Sequence, residues 1–178
     1  MSFARVRALV VIGVLAVAAV IFVVVALVRD TQGDAAADGD CPKGSPLAVI
    51  KLPKEPEEVT VRILNGTDKP GLAETVTNDF KNRQFKTQKA GEAKKKLDGV
   101  ATITYGPKAV GKAQLLRAYF INDAKPLYDA KRTNDVIDIV IGKQYQQLAT
   151  TTEVNQSLTD IGNAKLPLGA CLAPEPGA

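Results

Sequence analysis

The 178-residue chain has no histidine and no tryptophan, and only two cysteines, one methionine and three serines (Ser2, Ser45, Ser157). Without an imidazole, neither a Ser–His nor a Cys–His nucleophile can be assembled, and two thiols with no histidine make a poor metal site. Paired carboxylates are the remaining route to acid–base chemistry. Asp135 and Asp138 fall in or beside a strand pattern on its outward side, and no second pair stands out. The expectation is a protein that is not an enzyme, with no catalytic residue, no metal and no cofactor. A surplus of one charge is also lacking where it would matter. The net +4 includes Arg5, Arg7 and Arg29, and from Asp30 onward 20 basic residues face 19 acidic ones. Nucleic acid is therefore not an expected partner.

What the chain does have is a long apolar run. Residues 8–28 are 21 consecutive uncharged residues, almost all Val, Ala, Ile and Leu, and as a helix they would be about 30 Å long, the thickness of a bilayer's hydrocarbon core. Arg5 and Arg7 precede the run, and Asp30, Asp34, Asp38 and Asp40 follow it. The positive-inside bias thus places residues 1–7 in the cytoplasm and everything after the transmembrane helix outside the cell membrane. The alternative is a cleaved signal peptide ending near Ala35-Ala36-Ala37, and either reading exports the rest. Residues 29–58 are rich in Pro, Asp, Gly and Ala; Pro42, Pro46, Pro53 and Pro56 forbid a regular helix, so the segment reads as a tether with one short strand over 47–52.

A folded domain is expected over 59–142. Val59, Val61 and Ile63 alternate with Thr60 and Arg62 as a half-buried strand, and Asn65-Gly66 stops it. Leu72, Val76 and Phe80 then paint an apolar stripe on a helix over 70–83, with Asp68 as the candidate cap. A second strand is expected over 85–89, followed by a charged loop with Glu92 and Lys94 to Lys96. Strand 101–105, the Gly106-Pro107 turn, a helix with Ala109, Ala113, Leu116 and Phe120 on one face, and a short strand at Leu127-Tyr128 repeat the plan. A last strand, 136–141, turns Ile137, Ile139 and Ile141 one way and Asp138 the other. Alternation in every strand argues for one covered sheet face, not two. The expected fold is α/β of the α+β type: a two-layer sandwich of a small mixed sheet with two helices on one face, built from a repeated β-α-β unit. Residues 143–178 read as a partly ordered extension with a short helix near 153–161.

Three groups of residues stand out as candidate sites. Cys41 and Cys171 flank the domain in an exported segment and read as a disulfide, two unpaired thiols being the alternative. Asn65, Gly66, Thr67, Gly71 and Gly106 lie at the two helix starts, whose free amides hold an anion if both lie on the same edge of the sheet; otherwise the glycines merely permit tight turns. Lys86, Lys89, Lys94, Lys95 and Lys96 belong to a band from Lys81 to Arg117 with ten basic residues against Glu92 and Asp98. That band is either a solvated face or a surface for anionic lipid or a phosphate-bearing cell-wall polymer. Asn65-Gly-Thr67 and Asn155-Gln-Ser157 also match glycosylation acceptor patterns.

Leu64-Asn65-Gly66-Thr67, a short loop and Gly71-Leu72-Ala73 resemble the signature of the LytR C-terminal domain family, and the resemblance runs from about residue 59 to 142. In complete LytR-type proteins this domain accompanies a phosphotransferase domain that attaches polymers to the cell wall, and no such domain is expected in these 178 residues. One membrane helix, a tether and a lone domain are similar to single-domain envelope proteins of mycobacteria and other actinobacteria. The resemblance implies a non-enzymatic role in envelope integrity, through binding of a wall or lipid component or an envelope protein. Its alternative implication is a regulatory partner of membrane enzymes that attach polymers to the wall.

Overall fold

The computed structural model describes residues 41–174, together with Arg7, Ile12, Gly13 and residues 15–21. Met1–Asp40 and Cys41–Ala178 are separate compact units. In the first, the described residues are helical. Among the described residues no helix is long and apolar enough to cross a membrane, and most of the expected span 8–28 lies outside them.

The second unit is a mixed α/β fold around one mixed sheet. β1 (Leu47–Ala48) precedes a 3-10 turn at Pro56–Glu58, and then come β2 (Thr60–Asn65), α1 (Leu72–Asn82), β3 (Lys86–Thr87), β4 (Gly91–Glu92) and β5 (Ala101–Tyr105). A second 3-10 turn, Pro107–Ala109, leads into α2 (Val110–Ala118), followed by β6 (Ala124–Tyr128), β7 (Ile137–Ile141), α3 (Thr151–Ile161) and β8 (Cys171–Leu172). β7 sits between the two β-α-β repeats, parallel to β2 (Ile63 beside Ile139) and antiparallel to β5 (Ile103 beside Ile139). β5 and β6 run parallel. The strand expected over 85–89 is instead two pieces, β3 and β4, both parallel to β2, with one extra residue taken up between them as a bulge.

Alternation decides which face is covered. Val61 and Ile63, Ile103, and Ile137, Ile139 and Ile141 have no exposed surface, and they share one core with Ala73, Val76 and Phe80 of α1 and Ala113 and Leu116 of α2. Both crossover helices therefore lie on the same face of the sheet. α1 starts at Gly71, whose φ of 75° is the left-handed conformation glycine adopts freely; Asp68 is not its cap.

The segments read as tether and partly ordered extension are part of this fold from Cys41 to Pro174. β1 and β8 pair in parallel, and Cys41 and Cys171 are bonded with their Cα atoms 6.1 Å apart. Prolines that forbid a helix leave an extended chain free to pair at an edge. α3 carries a capping box: Thr150 Oγ1 accepts from Glu153 N, and Thr150 N donates to Glu153 Oε2 at 2.7 Å. Val154 and Leu158 set α3 against Ala118 and Tyr119 at the end of α2.

Before α2 the former tether lies on its first turn. Val49 N donates to Pro107 O at 2.9 Å and Gly111 N to Val49 O at 3.0 Å. A Cβ on Gly111 would stand 2.0 Å from Lys51 O, so the helix backbone and the strap meet only because residue 111 is glycine. Gly111→Ala must push the strap off α2 and lose one or both hydrogen bonds. The expected destabilisation is about 2–3 kcal/mol, read as a lower urea midpoint at unchanged m-value; a variant within about 0.5 kcal/mol of the parent would mean that the strap is not held there.

Candidate functional site

The Asn65–Thr67 turn is held by its own side chains. Asn65 is buried, with 3% of its surface exposed. Its Oδ1 accepts from Thr67 N at 3.0 Å and Thr67 Oγ1 at 2.8 Å, and its Nδ2 donates to Lys69 O at 3.0 Å. Thr67 Oγ1 in turn accepts from Lys69 N at 3.1 Å. The Thr67 and Lys69 amides are therefore engaged inside the turn and are not presented to an anion. Gly66 N donates to Ile141 O at 2.8 Å, and a Cβ there would lie 2.7 Å from the same oxygen; glycine is what lets the turn press on the end of β7. With its carboxamide so engaged, Asn65 is no glycan acceptor. Asn155 lies exposed on α3.

The two helix starts do not meet. β7 is parallel to β2 but antiparallel to β5, so Gly66 and Gly71 follow one end of the sheet and Gly106 the other. The shared anion site expected of Asn65, Gly66, Thr67, Gly71 and Gly106 is therefore not formed. The reason lies in the topology: each repeat alone is a parallel unit, and only the insertion of β7 between them fixes their relative direction. At Gly106 the missing side chain instead makes room for Arg132, whose Cβ would be 2.5 Å from a Cβ at 106.

The lysines also divide. Lys86 lies beside Thr60 at the start of β2, roughly 17 Å along the strand from its end, and Lys89 is exposed in the bulge. Lys94, Lys95 and Lys96 are exposed on the loop that crosses the end of β2. Lys96 Nζ donates to Thr67 O and pairs with Asp68 at 2.9 Å; it holds the Asp68 carboxyl below the usual carboxylate range. Leu97 N donates to Gly66 O, and Lys143 N donates to Leu97 O and its ammonium pairs with Asp98 at 2.8 Å. Thr67, Lys69, Leu72, Gly142 and Lys143 help line a cavity of about 400 Å³ on this edge. The carboxyl ends of the parallel pair β2 and β7 thus carry a shallow cavity lined by Lys69, Lys143 and Asp68, with Lys96 paired to Asp68 beside it and Lys94 and Lys95 on the same loop as Lys96. Crevices at the carboxyl ends of parallel strands are where open α/β sheets bind ligands.

A charged cluster that the sequence did not disclose occupies the helix-free face. Asp138, expected to point outward, is only 6% exposed. It accepts from Arg62 Nε at 2.7 Å and Arg62 Nη2 at 2.8 Å, and Arg132 Nη2 binds the same carboxylate. Burial alone would push this carboxyl up, but hydrogen bonds from Arg62 and Arg132, with their charges, hold it below the usual range. Arg132 Nη1 also donates to Val136 O at 2.8 Å, so the cluster ties the loop before β7 to the sheet. Arg62 and Asp138 are register partners across β2 and β7, a pairing that alternation does not predict. Asp135 pairs with Lys112 at 2.6 Å; that hydrogen bond lowers its pKa. Among the described residues no group of His, Cys, Asp and Glu could hold a metal ion.

Comparison with known proteins places residues 58–145 in the LytR_C family model, described as LytR cell envelope-related transcriptional attenuator. The soluble domain of a conserved hypothetical secreted protein from Mycobacterium marinum is similar in structure, with a TM-score of 0.52 and 19% sequence identity over 68% of this chain and 81% of that one. At that identity the likeness is one of fold. No curated protein matches the chain.

Proposed function

Because residues 58–145 are a LytR_C domain, we propose that this chain is a non-enzymatic, membrane-anchored cell-envelope protein whose domain lies outside the membrane and helps keep the envelope intact. It does so by holding an anionic envelope component on the lysine edge. The observation that carries the reading is the joining of the family's own turn to that edge: Lys96 is fixed on Thr67 and Asp68, and Lys94 and Lys95 are carried beside them. The Cys41–Cys171 bond supports an oxidising compartment, and the apolar run over 8–28 supports the anchor.

Residues 41–178, a compact unit with its own core, are the material for the test. Binding to isolated cell wall and to vesicles containing anionic lipid is measured by co-sedimentation over a range of salt. Attraction of exposed lysines to a polyanion falls steeply as the screening length shortens. Expected is binding that weakens about tenfold or more between low and physiological salt, and a loss on the order of a hundredfold when Lys94, Lys95 and Lys96 are all changed to Ala, at roughly 1 kcal/mol per lysine near an anionic surface. Absence of binding to either surface would discard the edge as an envelope contact and leave a protein partner, such as a membrane enzyme that attaches polymers, as the role to test.

A further inference from the structure

Along the outer side of α2, from the end of β5 to the turn before β6, a cavity of about 370 Å³ opens against the end of α3 and the residues that follow it. Gln114 and Arg117 lie one turn apart on α2. Gln114 is buried and its carboxamide is engaged at both ends: Nε2 donates to Gly162 O at 3.1 Å and Oε1 accepts from Arg117 Nη1 at 3.4 Å. This holds the guanidinium at the cavity wall. Yet Arg117 Nε, a buried donor, and Asn122 Oδ1, a buried acceptor, have no hydrogen-bond partner among the described residues. Buried polar atoms in folded proteins are nearly always paired, so an orphaned donor and an orphaned acceptor on two residues that line one cavity call for an occupant that draws them to it.

The chemistry of the wall restricts what that occupant is. Arg117 and, at the rim, Lys165 are cations, and no carboxylate is among the described residues that line the cavity. Asn122 Oδ1 wants a hydroxyl or amine donor. The ring of Tyr105 and the side chains of Val110 and Ala113 supply an apolar wall. Burial pushes the Tyr105 hydroxyl up, so it remains a donor at neutral pH. The volume is at the low end of ligand sites and fits one sugar ring with a substituent, not a run of polymer. We infer that this cavity binds a small hydroxylated anion, a sugar carrying a phosphate or a carboxylate: its charged group lies on Arg117 and Lys165, a hydroxyl donates to Asn122 Oδ1, and a ring face rests on Tyr105. The roof is the segment 162–171, which ends in Cys171. Ala164 and Leu166 pack with Tyr105, Val110 and Ala170, so the disulfide keeps the site closed on that side.

The site shares no residue with the lysine edge and stands independently of it. The test is calorimetric titration of the full chain, oxidised and in mild detergent, with glucose 1-phosphate, glucuronate, inorganic phosphate and glucose. At least one sugar anion should saturate and bind about tenfold or more tightly than both inorganic phosphate and glucose, and the comparison of the two sugar anions tells phosphate from carboxylate. Arg117→Gln should weaken that binding about tenfold or more, the worth of one hydrogen bond to a charged group, and Asn122→Gly about fivefold, the worth of a neutral one. Asn122 has a φ of 66°, which glycine keeps, so the second variant removes the acceptor without straining the turn. Replacing Lys94, Lys95 and Lys96 together should leave the titration unchanged. Saturation by none of the probes, inorganic phosphate binding as tightly as the sugar anions, or parental affinity in both folded variants would each overturn the assignment.

Discussion

Asp138→Asn is expected to destabilise the domain by about 2–4 kcal/mol, although the substitution changes no volume and lies on the helix-free face of the sheet. The carboxylate accepts from two guanidinium groups at once, and its own side chain is 9% exposed. Removing one member of a buried ion pair leaves the other charge in place without a counter-ion, which costs about 3–5 kcal/mol when both groups are buried. Arg132, with a side chain 20% exposed, approaches that case. Arg62 is 44% exposed and water screens it, so its share is discounted to that of a surface pair. The asymmetry gives a control: Arg62→Gln should cost under about 1 kcal/mol. Should the two variants lose equal stability in urea, Asp138 is not the anchor of the cluster.

The same carboxylate sets a pH dependence. Its folded pKa is depressed, so its contribution is fully present above the unfolded value of about 3.9 and is lost as pH falls through the lower, folded value. Asp135, depressed by Lys112, acts in the same direction. Parental stability should therefore fall below about pH 4, and the fall should be shallower in Asp138→Asn, whose amide does not titrate.

How far the sequence reveals this molecule depends on the range of the interaction. Strand alternation at Val61 and Ile63 and at Ile137, Ile139 and Ile141, and the stripe Val76–Phe80, are local patterns, and each lies in the core that the pattern predicts. The turn at Asn65-Gly66 is equally legible because its chemistry is contained within five residues. What was hidden is non-local. No periodicity says that β7 enters between the repeats, and with that goes the direction of β5, the separation of Gly106 from Gly66, and the meeting of Arg62 with Asp138. The bulge between β3 and β4 and the pairing of β1 with β8 were hidden for a second reason: two-residue strands carry no alternation to read. Arg117 gave a different kind of false impression, counted among the lysines of a surface band although its Nε is buried at a cavity wall.

Reduction of the Cys41–Cys171 bond is expected to produce the largest effect of all, and an uneven one. The bond spans a sequence separation of 130, and in the chain-entropy model a loop of that length stabilises the fold by about 5 kcal/mol. Only two paired residues on each strand join β1 to β8, and a two-stranded ribbon that short does not hold by itself. Once the cross-link opens, the segment 162–171, which carries Ala164, Leu166 and Ala170, keeps its small apolar cluster over Tyr105 and Val110 and the hydrogen bond from Gln114 to Gly162 O. The main sheet, by contrast, keeps every one of its own contacts. Hydrogen exchange of the reduced protein should therefore show protection lost at Gly111, Cys171 and Ala173, whose amides bond Val49, Pro46 and Ala48, while β2, β5 and β7 keep protection that is lowered only by the fall in global stability. Cys171→Ser should reproduce the pattern without reductant. Loss of protection in β2, β5 and β7 as complete as at Gly111 would show that β1 and β8 belong to the same cooperative unit as the sheet; no loss at Gly111 would show that the segment 47–51 is held on α2 without the bond. The expected split ties redox state to the cavity and not to the lysine edge, because the segment 162–171 roofs the first, whereas the second is built on the ends of β2 and β7.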